Sequence, residues 1–169
     1  MIPMASRPQW LIFGIGNPSR GDDALGSSFV ERLSLWLDQP GHAQSLPMDL
    51  VLHTDFQCQI EHALDLDKMS GALFVDASQT APAPYEITQL LPDYDATHTT
   101  HALSPACVLA VAERLGQLLP VCWLMGITGL EYQLGAGLSS QSQSCLDQAF
   151  NHVVTSLRSG GLFATASGK

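Results

Sequence analysis

The chain has 169 residues, 46% of them hydrophobic and 14% charged, with a formal net charge of −9 and a pI near 4.8. That length and composition suit one globular domain that buries its core without metal or disulfide staples. Seven Lys and Arg leave no basic footprint for nucleic acid or an anionic membrane surface, and no apolar run approaches the roughly 20 residues that span a bilayer.

The N-terminal "MIPMASRPQW" has one Arg and no long apolar core, which argues against a secretory signal and for a cytoplasmic chain with reduced thiols. "WLIFGIG" (Trp10 to Gly16) is an unbroken apolar run entering a glycine turn, the pattern of a strand buried on both faces. From Asp23 onward, Leu25, Phe29, Val30, Leu33 and Leu37 recur at helical spacing, and Pro40-Gly41 ends that helix. "PMDLVLHTDF" (Pro47 to Phe56) reads as a second strand. "QIEHALDLDKM" (Gln59 to Met69) reads as a short helix with Ile60, Ala63, Leu64 and Leu66 on its apolar side. "GALFVDAS" (Gly71 to Ser78) is another buried run that closes on Asp76, and "YEITQLL" (Tyr85 to Leu91) alternates like a more exposed strand.

Pro92 to Leu103 is polar, carries "HTTH" and reads as a loop. Ser104 and Pro105 then cap and start a helix that Gly116 stops. "PVCWLMGITG" (Pro120 to Gly129) is a further buried strand. The last helix runs from about Ser140 to Arg158, closed by Ser159-Gly160-Gly161. Of the four cysteines (Cys58, Cys107, Cys122, Cys145), no two form a C-x-x-C pair, which disfavours a zinc knuckle. Cys107, Cys122 and Cys145 read as small buried hydrophobes. Strands alternating with helices predict an α/β fold: a three-layer single domain over 1–169, with a mainly parallel sheet of about five strands flanked by helices. Its core spans about 10–158, and 159–169 form a loose tail.

In open α/β sheets, ligands bind beyond the carboxyl ends of the strands. Asp22 and Asp23 follow the first strand, Asp76 ends the third, and His98 and His101 lie in the loop before a helix. Carboxylate oxygen and imidazole together suit a first-row metal, and equally suit general acid–base chemistry. Each residue also has a plain reading. An Asp at a helix start complements the helix dipole, an Asp ending a strand caps a turn, and a loop His is solvated. Convergence at one sheet edge favours a site. Gln57 and Glu61 fall on the same edge, unless they are only a solvated helix face. Arg20 either binds a carboxylate or balances Asp22 and Asp23. "GITGLEYQLGAGLS" (Gly126 to Ser139) is a glycine-rich return that permits close backbone approach.

Several chemistries are excluded. A dinucleotide loop needs G-x-G-x-x-G, whereas here the sixth position is Ser19 and an acidic pair follows that would repel pyrophosphate. There is no G-x-x-x-x-G-K-[ST], no H-E-x-x-H and no G-x-S-x-G. Ser104 and Ser139 are explained as helix caps.

"GIGNPSRGDDALG", "LFVDAS", "THALSP" before a helix, and "GITGLEYQLGAGLS", in that order over residues 10–155, closely resemble the hydrogenase maturation endopeptidases. That family trims the C-terminal tail of the [NiFe]-hydrogenase large-subunit precursor. The resemblance implies an aspartate/histidine, metal-dependent endopeptidase whose nickel is carried by the substrate. It places the metal contacts at Asp23, Asp76 and His101, with Asp23 and Asp76 as the catalytic carboxylates. Asp22, Gln57 and Glu61 are the expected substrate contacts. Many members have a "DGG" turn after the second strand. Here the chain reads "HTDFQCQIEHAL", and Gln57 and Glu61 resemble instead the subgroup serving soluble, NAD-reducing hydrogenases. The expected partner is the large-subunit precursor, with no nucleic acid, no membrane and a monomeric protein.

Two rivals stand beside this reading. Peptidyl-tRNA hydrolase also has a G-[LI]-G-N-P loop, but follows it with a catalytic His that "SRGDDALG" lacks, and it needs a basic surface. A non-proteolytic nickel- or precursor-binding chaperone would use the same ligands without cleavage.

Overall fold

The computed structural model describes residues 6–95 and 103–160. Five strands form one sheet: β1 (Gln9–Ile15), β2 (Asp49–Asp55), β3 (Gly71–Ser78), β4 (Tyr85–Leu90) and β5 (Val121–Thr128), in the order β2-β1-β3-β5-β4. All neighbours pair in parallel except β4, which runs antiparallel on β5. Four α-helices accompany them: α1 (Leu25–Leu37), the single turn α2 (His42–Ser45), α3 (Pro105–Arg114) and α4 (Ser140–Arg158). The α/β expectation of about five mainly parallel strands is met.

Strand alternation divides the core in two. Trp10, Ile12, Leu73, Val75, Met125 and Ile127 point to one face and pack under α1 and α4, through Phe29, Leu33, Phe150 and Val153. Leu11, Phe13, Ala72, Phe74 and Cys122 point to the other, where Val108, Leu109 and Ala112 of α3 meet them. The period of two within runs apolar at every position is what a sheet covered on both faces requires. The four cysteines are free and buried. Burial pushes the Cys122 thiol up to about 12, so it acts as a small apolar group.

The segment after β2 departs from expectation. It is a 3-10 helix over Ile60–Leu66. At three residues per turn, Ala63 and Leu66 fall in line and are buried, whereas Leu64 turns outward and Ile60 sits beyond the edge of the core. The buried partner in place of Ile60 and Leu64 is His62. No helix among the described residues is long and apolar enough to cross a membrane. Most of the expected loose tail lies outside the described residues.

β2 lies on one side of β1 and β3 on the other, so the strand order reverses between β1 and β3. In such sheets the crevice beyond the carboxyl ends of those two strands is where ligands bind. Two glycines bring α1 down onto that crevice. A Cβ on Gly26 would collide with the carbonyl oxygens of Ile15 and Val75, and one on Gly14 with the carbonyl of Gly26. Gly14 in β1 and Gly26 in α1 therefore serve close helix–strand packing. Gly26→Ala should cost about 3 kcal/mol in urea unfolding despite alanine's better helix propensity, because backbone on both sides must move. An unchanged urea midpoint would contradict this packing.

Candidate active site

The loop after β1 reverses sharply. Gly16 has φ +132°, a conformation side chains rarely adopt. The chain then returns so that the Asn17 N–H donates to Asp23 Oδ2 at 3.0 Å. A 3-10 turn, Gly21–Ala24, carries both aspartates into α1.

The two acids part company there. Asp22 is fully buried. Its Oδ2 accepts from the Leu130 and Glu131 N–H groups, each at 2.8 Å, and from the hydroxyls of Ser139 (2.9 Å) and Ser142 (2.8 Å). Its Oδ1 accepts from the Ser139 N–H at 2.7 Å. Burial alone would raise its pKa, but the backbone donors Glu131, Leu130 and Ser139 and the Ser142 hydroxyl outweigh it and hold the carboxyl at about 2. In return, Asp22 N–H donates to the Glu131 carbonyl at 2.7 Å, Gly21 N–H to Ala136, and Gly135 N–H to Ser19. The first loop and the glycine-rich return are thus one hydrogen-bonded unit. The expectation that Asp22 contacts substrate is corrected by this placement: it has no exposed surface, and its role is to hold the return loop and the start of α4. Ser139 caps α4, as expected, by accepting from the Ser142 N–H, and its hydroxyl also donates to Asp22.

Asp23 is only partly buried and lies over the end of β1. Asp76 is the sixth residue of β3, opposite Gly126 of β5, and shares its face with Ala72 and Phe74. Its Oδ1 accepts from the Ala77 N–H at 2.8 Å. Among the described residues nothing donates to Asp23 Oδ1 or Asp76 Oδ2. Burial raises the Asp76 pKa to about 6, the Ala77 N–H opposes that rise, and the charge of Asp23 adds to it. The charge of Asp23 thus disfavours that of Asp76 at the carboxyl end of the sheet, and a cation or a proton beside Asp76 relieves it.

Tyr132, on the return loop, was not foreseen. Its hydroxyl is buried without a hydrogen-bond partner among the described residues and stands over the backbone of Gly129, where a Cβ would lie 2.5 Å from it. Burial pushes this phenol up, and Asp22, Asp23 and Asp76 push it further. An aromatic in a polar, glycine-rich stretch was the available signal. Cys58 also lies near the acids: burial raises its thiol to about 12, with Asp76 and Asp55 contributing, so it is no nucleophile.

Gln57 and Glu61 are both exposed beyond the carboxyl end of β2, Gln57 just after the strand and Glu61 in the first turn of the 3-10 helix. Arg20 is exposed, and its Nε donates to the Tyr132 carbonyl at 3.3 Å. It makes no ion pair with Asp22 or Asp23 among the described residues. His98 and His101 lie outside the described residues.

No protein-family model matches the sequence, and neither does any curated protein. Solved structures do match. The [NiFe] hydrogenase maturation protease HycI of Thermococcus kodakarensis KOD1 superposes with a TM-score of 0.65 at 21% identity, over 89% of this chain and 92% of its own. The fold is that of the hydrogenase maturation proteases. The maturating endopeptidase HybD of E. coli gives 0.64 at 21% identity, over 89% and 93%, and an endopeptidase from Escherichia coli gives 0.67 at 20%, over the same shares. Within the hydrogenase maturation protease fold, Asp23 and Asp76 occupy the crevice between β1 and β3.

Proposed function

We propose that the chain is an endopeptidase that removes the C-terminal extension of a nickel-loaded [NiFe]-hydrogenase large-subunit precursor. The observation that carries this reading is the pair of neighbouring carboxylates, Asp23 and Asp76, at the switch point of this fold. The nickel belongs to the substrate. Asp23 and Asp76 offer it hard oxygen ligands from outside, and His101 supplies the third contact that the resemblance assigns. Such a set binds a borderline metal adequately and releases it after the reaction. Contact confirms that the precursor is loaded and aligns its scissile peptide. An ionised carboxylate at the crevice then takes a proton from the attacking water. Exposed Gln57 and Glu61 form the substrate-facing rim. The protein acts in the cytoplasm, as a monomer.

The test is to mix the protein with nickel-loaded and nickel-free forms of a cognate precursor and record intact masses. Loss of a C-terminal peptide from the loaded form alone is the expected result. An unchanged mass with binding intact would move the assignment to a chaperone. Cleavage of both forms would remove the nickel-checking role from Asp23, Asp76 and His101.

A further inference from the structure

A second group of metal-ligand side chains gathers at the β2 flank of the sheet, on the α3 face. His53 comes from β2, beside Phe13 of β1, while His62 and Asp65 come from the 3-10 helix Ile60–Leu66. One ring nitrogen from each histidine and one Asp65 oxygen lie within 4.8 Å of one another. His53 Nδ1 and Asp65 Oδ2 are 3.4 Å apart. That is longer than an ordinary N–H···O hydrogen bond of about 2.7–3.2 Å. It is close to the edge of a tetrahedron around a metal with bonds of about 2.0–2.2 Å. Neither the His53 nor the Asp65 side chain makes a hydrogen bond among the described residues.

His62 shows how such a site is prepared. Its ring is buried, and both it and the ring of His53 stand edge-on to Phe13, so an apolar wall closes one side. The Gln59 N–H donates to His62 Nδ1 at 2.9 Å, which keeps that nitrogen unprotonated and puts the proton on Nε2. Nε2 faces Asp55 Oδ2 at 3.3 Å, and Asp55 is itself held by the Phe56 N–H and by Gln59 Nε2. A carboxylate on the far nitrogen is the arrangement that orients a metal-ligating imidazole. The side chains of His53 and Asp65 are about one-third exposed (36% and 35%), which leaves an approach from solvent.

We propose that His53, His62 and Asp65 form a divalent-metal site separate from the Asp23–Asp76 crevice. Two imidazoles and a carboxylate select a borderline ion of the Zn²⁺ or Ni²⁺ class, with water at the open position. The incoming ion takes the Nδ1 lone pair of His62 from the Gln59 N–H. One capping hydrogen bond is exchanged for a metal bond, while the Asp55 pairing stays. The bound ion staples the 3-10 helix, and with it Glu61, to β2.

The test uses the full chain carrying Asp23→Asn, Asp76→Asn and His101→Ala, so that the crevice no longer competes for metal. It is titrated with Zn²⁺ by calorimetry and with Co²⁺ by visible absorption. One equivalent should bind, with the intense bands of low-coordinate Co²⁺. Adding His53→Ala or Asp65→Ala, both at part-exposed positions, should weaken binding by at least about tenfold. Asp55→Asn should weaken it by about 10- to 100-fold without abolishing it. Circular dichroism confirms that each variant is folded. Absence of binding in the crevice-free background, or binding unchanged by both His53→Ala and Asp65→Ala, would overturn the site.

Discussion

Asp22→Ala is expected to cost about 3–5 kcal/mol of stability, among the largest effects of any single substitution in this chain. The carboxylate is fully buried and accepts five hydrogen bonds from Leu130, Glu131, Ser139 and Ser142. Alanine leaves three backbone N–H groups and two hydroxyls facing a cavity, and an unsatisfied buried donor costs about 1–3 kcal/mol before relaxation and water entry. Asp22→Asn should cost less, since one oxygen remains, but its NH₂ faces groups that are themselves donors. The pH dependence has a definite sign. The carboxyl is held at about 2, below its ordinary 3.8, so its contribution is complete above about pH 4 and is lost as pH falls toward 2. Urea unfolding of the parent and Asp22→Asn at pH 7 and pH 3 should therefore show a difference that shrinks at the lower pH. A difference independent of pH, or a loss under 1 kcal/mol for Asp22→Ala, would mean that the return loop is held by something else.

Asp22 also shows what a sequence can and cannot disclose. That an acidic pair follows a buried strand and a glycine turn is local information, and it located the loop, the helix and the sheet edge. Which acid faces solvent is not local. The donors that claim Asp22 lie 108 to 120 residues away along the chain, and only the folded return loop brings them to it. Asp76 was legible for the opposite reason: a charged residue closing an apolar strand breaks its own pattern, and the strand fixes both its face and its end of the sheet. Gly14 and Gly26 were legible as a loop signature but not in their purpose, since the helix-to-strand collision that they avoid appears only when α1 is docked. The α-helical spacing that groups Leu64 with Ile60 fails because a 3-10 helix repeats every three residues, which keeps Ala63 and Leu66 in line and turns Leu64 outward. His53 and His62 are not linked by any local pattern, because one sits in a strand and the other in a 3-10 helix, and Phe13 of a third element draws them together.

Asp76→Asn should make the protein more stable at neutral pH while abolishing its proposed activity, and the two effects should separate with pH. In the folded chain the carboxyl ionises near pH 6 rather than at the ordinary 3.8, chiefly because it is buried. Between those values the native state holds a proton that the unfolded chain has released, so stability falls as pH rises and the full penalty is present above about 6. The gap corresponds to about 3 kcal/mol, and a neutral amide that keeps the Ala77 N–H bond escapes it. Thermal or urea unfolding should show Asp76→Asn stabilised at pH 8 and indistinguishable from the parent near pH 4. Precursor cleavage should fall by about 100- to 10,000-fold, as expected when a group that handles the reacting proton is removed. The parent's kcat/KM should rise with pH through about 6, as Asp76 in the free enzyme loses its proton. A residue kept ionised at a cost to folding is the signature of a site retained for function. If Asp76→Asn were less stable at pH 8 and still cleaved at the parental rate, Asp76 would be a structural cap on the Ala77 N–H, and the crevice between β1 and β3 would not be the active site.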